Sequence, residues 1–190
     1  MILMTNAIRL IAAAALLLAL PASAADKITQ KRYPLPDQRG TFLLSAPASW
    51  KDDVNQPPQP VPPTILFGPS ATGKPFQVHV TPIWKPSPDL PTPTKDELRT
   101  QVQRDADGLK SDRIANEIKV VDLQGKNGPG FYYAAVDKQP GPDEFKHLTQ
   151  GRILVSDTLL VTFAILTNDG QEQVVRDALS MIRSASHSPK

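Results

Sequence analysis

The chain has 190 residues, no cysteine, twenty prolines and a formal net charge of +2. Without cysteine there is no disulfide framework and no lipid anchor on an N-terminal cysteine, so the fold must hold by its core alone. The charges are mixed in sign, with no basic block and no interleaved aromatic stripe, which leaves nucleic-acid binding without a basis.

Residues 1–24 read as a cleaved secretory signal peptide. Arg9 supplies the positive n-region, Leu10–Leu20 the apolar core, and Ala22-Ser23-Ala24 an A-x-A cleavage signal. That core is shorter than the ~20 apolar residues of a spanning helix, so no stable membrane insertion is expected once the signal is removed. The expectation is a single domain over residues 25–190, exported to a periplasm or secreted space. Losing Arg9 and no acid lowers its formal charge from +2 to +1.

Fifteen of the prolines lie between Pro34 and Pro93 and four follow Thr94. The first half must therefore consist of short strands and rigid loops, while the second half has room for long elements. Lys27–Tyr33 alternates weakly, as an edge strand would. Gly40–Ser45 is a strand ended by the turn Ala46-Pro47-Ala48-Ser49-Trp50, with Trp50 packed over the sheet edge. Asn55–Pro63 reads as polyproline II, either a stiff surface loop or a docking segment for a proline-recognising groove. Thr64–Phe67 and Phe76–Trp84 are strands, the second ending at an edge or bulge near Pro82.

Thr94 with Glu97 forms a capping-box pattern, and Leu98, Val102, Ala106 and Leu109 follow on one helical stripe. Ile114–Leu123 and Gly130–Val136 are expected as strands around a glycine-rich loop. Phe145–Val155 alternates, Ser156-Asp157 is a two-residue turn, and Thr158–Thr167 is apolar on both faces. A strand of that kind belongs at the centre of a sheet. Asp169 and Glu172 form a second capping-box pattern, opening a helix over about Gln171–Ser184. The tail from Ser186 to Lys190 is small and polar, and fraying is expected there. The fold class is thus α+β, a mainly antiparallel sheet of about six to eight strands covered by helices.

Several of these features together resemble the Mog1/PsbP-like group of α/β/α sandwich domains. They are the Gly40-Thr41-Phe42 strand ending in Pro47-Ala48-Ser49-Trp50, the mid-chain helix Thr94–Lys110, the aromatic strand Phe131-Tyr132-Tyr133, and the final hairpin with its helix. The resemblance covers nearly all of the chain after the signal. It implies a mostly non-enzymatic company of photosystem accessory subunits, a nuclear GTPase partner, envelope proteins and secretion-effector chaperones. That group shares no active site, so no functional residue carries over. The secretory signal sets this chain apart from the nuclear and cytosolic branches, and there is no chloroplast-type transit peptide.

Catalytic motifs are missing from the sequence. Gly68–Lys74 matches G-x4-G-K, but Pro75 stands where Ser or Thr should bind Mg²⁺, and a strand rather than a helix follows. A hairpin loop is the better reading. There is no G-x-S-x-G or S-x-x-K, and His79 and His147 lie outside any metal-ligand spacing. Asp52-Asp53 and Asp143-Glu144 read as solvated loop charges. No catalytic residue, cofactor or metal is therefore assigned. Trp50, Trp84, Tyr132 and Tyr133, with His79 and His147, are the candidate binding surface, since aromatic residues anchor partners when exposed and fill the core when not. The expected function is that of an exported, non-enzymatic accessory domain whose partner is another envelope protein. The alternatives are a small-molecule or lipid carrier with a pocket between sheet and helix, and a hydrolase of unrecognised type using His79 or His147.

Overall fold

The alternation of apolar and polar residues along the chain becomes, in the strands, an alternation of buried and half-exposed side chains. The computed structural model describes residues 26–58, 61–70, 73–85, 87, 89–109 and 114–190. Its elements are β1 (Ile28–Pro34), β2 (Thr41–Pro47), β3 (Lys51–Asn55), β4 (Thr64–Gly68), β5 (Gln77–Trp84), α1 (Lys95–Gly108), β6 (Val121–Gln124), β7 (Pro129–Val136), β8 (His147–Ser156), β9 (Leu159–Thr167), α2 (Glu172–Arg183) and β10 (Ser186–Ser188). They form a seven-stranded sheet ordered β3-β4-β5-β9-β8-β7-β6 and a three-stranded sheet ordered β1-β2-β10. Every pairing in both sheets is antiparallel.

The apolar run of β9 occupies the middle of the large sheet, hydrogen-bonded to β5 on one side and β8 on the other. Its two faces differ. Leu159, Val161, Phe163, Ile165 and Thr167 are buried, while Leu160, Thr162, Ala164 and Leu166 are half-buried. The buried face carries the main core. There Ile65, Phe67, Val78, Val80 and Ile153 meet Phe42 and Leu44 of β2 and Ala178, Met181 and Ile182 of α2. The other face carries α1, which sets Leu98, Val102 and Ala106 on Phe131 and Tyr133 of β7.

Glycine completes the packing between β7 and β9. Gly151 sits between Tyr132 and Phe163 in the register, and a Cβ there would lie 2.7 Å from the Phe163 ring and collide with the Phe131 carbonyl. The bare backbone is what lets the Phe163 ring lie flat across β8.

The cap of α1 is as expected. Thr94 Oγ1 accepts from the Glu97 N–H at 3.2 Å, and Glu97 Oε2 accepts from the Thr94 N–H at 2.8 Å. Asp169, by contrast, does not cap α2. Its carboxylate bonds Lys146 Nζ at 2.7 Å and His147 Nε2 at 2.8 Å, and the N-cap position falls to Gln171, which makes no side-chain cap bond. Gln171 is buried instead, accepting from the Asn168 N–H at 2.7 Å and donating to the Pro75 carbonyl at 3.1 Å.

Three strand expectations change. Asp52-Asp53, read as solvated loop charges, lie in strand β3, and the tail expected to fray contains β10, which pairs with β2. The expected strand Ile114–Leu123 shrinks to β6 and a single bridge between Ile114 and Asp137. Between them the Asn116 side chain takes over the backbone of β7, accepting from the Val136 N–H at 2.8 Å and donating to the Ala134 carbonyl at 3.0 Å. A side chain that satisfies the neighbouring strand in this way removes the reason for its own segment to pair. The hairpin turn falls at Asp157-Thr158, one residue later than expected, after a register irregularity between Leu154 and Ser156.

Candidate binding surface

Because α1 lies over β7 and the adjoining part of β8, no helix among the described residues lies above the same face of β4, β5 and the neighbouring part of β9. Strand alternation and register decide what is presented there. One row across the strands is Thr64, Thr81 and Thr162, and the next is Leu66, His79 and Ala164. Gln77 and Leu166 follow on one side, Ile83 and Leu160 on the other. Thr64 and Thr81 join hydroxyls at 2.8 Å. Arg152, where this strip reaches α1, is tied to Asp105 at 2.8 Å and adds no free charge. The result is an uncharged strip of aliphatic, hydroxyl and amide side chains.

At one end the strip opens into a cavity of about 560 Å³ lined by Lys51, Asp53, Leu66, Phe76, His79 and Phe145, among others. His79 bonds Gln77 at 3.0 Å, and burial holds its imidazole below the ordinary value, so the ring is neutral at pH 7. On the other wall Asp52 bonds Lys31 at 2.8 Å and the Tyr33 hydroxyl at 2.7 Å. Burial alone would raise the Asp52 pKa, but the hydrogen bonds from Lys31 and Tyr33 outweigh it and hold the carboxyl below its usual value. Burial, and then the neighbouring carboxylate, push the Tyr33 hydroxyl far up, so it remains a hydrogen-bond donor.

The six residues singled out in sequence do not form one surface. Trp50 and Tyr133 are core, 7% and 1% exposed, because their rings fill the two sides of the large sheet. Trp50 lies 4.9 Å from Phe76, and Tyr133 sits beneath α1. Trp84 and Tyr132 are half-buried against the main core, with the Arg39 guanidinium 5.3 Å over the Trp84 ring. His79 lies on the open face, whereas His147 is on the opposite face at the start of α2, bonded to Asp169. The hydrolase reading needed a histidine in a cleft with a carboxylate in reach. His79 has the cavity, but its ring bonds Gln77 and neither of the carboxylates on the walls, Asp52 and Asp53, and His147 has the carboxylate beside a hollow of only about 130 Å³. His187 bonds the Arg39 carbonyl at 2.6 Å and locks the C-terminal strand. Among the described residues no group of three His, Cys, Asp or Glu side chains is placed to hold a metal ion.

The carrier reading needed a pocket between sheet and helix. The side chains of Leu98, Val102 and Ala106 fill that space under α1, and the large cavity lies at the sheet's end instead. Leu66, Gln77, Thr81 and Thr162 were not among the sequence candidates. Alternation within each strand marks them as off the main core, but only the position of α1 shows that no described helix covers them.

No protein-family profile and no curated protein sequence matches the chain. Among solved structures it is similar to a protein of Bacteroides thetaiotaomicron, at 11% identity and a TM-score of 0.53 over 84% of this chain and 49% of that one. The present chain thus spans about half the length of that protein. It is also similar to LpqN of Mycobacterium tuberculosis, described as involved in cell envelope biogenesis, at 12% identity and a TM-score of 0.51 over 85% of this chain and 92% of that one. The solution structure of PsbP (CyanoP) from Synechocystis matches at 12% identity and a TM-score of 0.51, over 90% of this chain and 99% of the other. The chain has the PsbP/Mog1-like α+β fold. At these identities the likeness is one of architecture.

Proposed function

We propose that this chain is an exported, non-enzymatic accessory domain that binds another protein of the cell envelope. The observation that carries the reading is the helix-free half of the large sheet. Antiparallel sheets commonly turn one face to water, but such a face is then polar. Here Leu66, Ile83 and Leu166 stand among threonines and amides, with Asp53 at the margin beside Leu66 and Leu160 packed against the cluster under α1, the composition of a protein-contact surface. The leader-like residues 1–24 and the architecture shared with LpqN support the envelope location. No helix among the described residues is long and apolar enough to cross a membrane.

The test is site-specific photocrosslinking in cells. A photoreactive side chain at Thr81 or Thr162 should give one adduct of defined mass, while the same group at Ser180 on the outer side of α2 should give none. Equal labelling at all three positions, or none at any, overturns the reading. Mass spectrometry of the exported protein should find Ala25 as the first residue.

A further inference from the structure

A seven-stranded open sheet has two edges, and here they are treated differently. The β6 edge is four residues long, and α1 reaches over to it, with Lys95 and Arg99 bonded to Asp122 at 3.4 and 2.9 Å. The β3 edge has all five residues exposed and, among the described residues, no strand beyond it. Its outward backbone can be read from its hydrogen bonds. The Val54 N–H donates to the Asp53 carboxylate at 2.8 Å, which turns it away from β4. By the two-residue period of a strand the Asp52 N–H points the same way. The outward Val54 N–H thus has a side-chain acceptor, which the carbonyl of an added strand would displace, leaving the Asp53 carboxylate to a basic side chain of that strand.

The partners of Asp52 and Asp53 differ. Asp52 is neutralised by Lys31. Asp53 has no cation bonded to it among the described residues, and it shares the open face with Leu66 and His79. The cavity of about 560 Å³ begins beside it, with Leu66, Phe76 and Phe145 on its walls. Edge donors, one unneutralised acid and an adjoining apolar hollow are what strand addition uses: backbone bonds for affinity, alternate side chains for selection. The same acids disfavour a second copy of this chain, because symmetric antiparallel registers centred on Asp52 or Asp53 set carboxylate against carboxylate.

We propose that the β3 edge docks an extended segment of a partner protein as an eighth strand. The segment sets a basic side chain against Asp53 and an apolar one into the adjoining cavity. This deepens the protein-binding reading above and rests on it.

The probe is a nine-residue synthetic peptide of alternating lysine and valine with a central phenylalanine, titrated into the leader-free chain and followed by backbone amide NMR shifts. Shifts should centre on Lys51–Asn55, Leu66 and His79. Asp53→Asn should weaken binding about fivefold, the scale of an exposed ion pair. Methylating the peptide's alternate backbone nitrogens should abolish binding, as should Val54→Pro, which removes an outward N–H that the sheet does not use. Equal binding of the methylated peptide, shifts centred on α1, no shift at millimolar peptide, or self-association through β3 in its place each overturn the proposal. The two readings fail separately. If adducts at Thr81 and Thr162 survive Val54→Pro while the peptide leaves β3 untouched, the sheet face binds and the edge does not.

Discussion

Gly151 has no room for a side chain, because three strands close on it at once. Gly151→Ala would push a methyl group against the Phe131 carbonyl and within 2.7 Å of both Tyr132 Cβ and the Phe163 ring. Overpacking of this kind costs about 1–3 kcal/mol, which a urea unfolding curve would show as a lowered midpoint. Asp52 makes a pH-dependent contribution. Its folded pKa lies below the ordinary 3.8, so its stabilisation is present above that value and is lost as the pH falls through the folded one. As the pH falls below about 4 the wild-type protein should therefore lose more stability than Asp52→Asn, by on the order of 1 kcal/mol or less given solvent screening. Parallel unfolding curves for the two proteins across that range would contradict the assignment.

The two helices hold their N-termini by different means, and the sequence revealed only one of them. Thr94→Ala should cost about 1 kcal/mol, the usual value of an N-cap. Asp169→Asn should barely move the stability of α2, although the spacing of Asp169 and Glu172 imitates a capping box. Gln171→Ala should cost about 1–3 kcal/mol, because it strips partners from the Asn168 N–H and the Pro75 carbonyl in a buried setting. Thermal melts should place Asp169→Asn nearest to wild type, Thr94→Ala below it and Gln171→Ala lowest. The Thr94 box was legible because both partners lie within one turn. The role of Gln171 depends on residues 74 and 75, nearly a hundred positions away, and no local pattern could announce it. Strand β3 escaped notice for the same reason: Lys51-Asp52-Asp53 has no strand propensity, and its state is imposed by pairing with β4. The β8–β9 hairpin was plain in sequence because its alternation and its length are intrinsic.

At the scale of the molecule, the C-terminal strand closes the smaller sheet. β10 pairs with β2, and His187 bonds the Arg39 carbonyl. Removing residues 186–190 should expose the edge of β2 and speed amide hydrogen exchange over Thr41–Leu43, with little change in β6–β7. The candidate surface belongs to this scale as well. It is assembled from β4, β5 and β9 and exists because α1 sits to one side, so single residues such as Trp50 or Tyr133 were poor guides to it.

The central position of β9 also governs the order in which the molecule can be completed. β5 and β8 have no common neighbour until β9 enters between them, so a chain that has emerged only as far as Gln139 holds two unconnected strips, β3-β4-β5 and β6-β7, each with a raw inner margin. Such a nascent chain cannot lock prematurely. Its large sheet becomes continuous only when the last fifty residues, with β8 and β9, are in place.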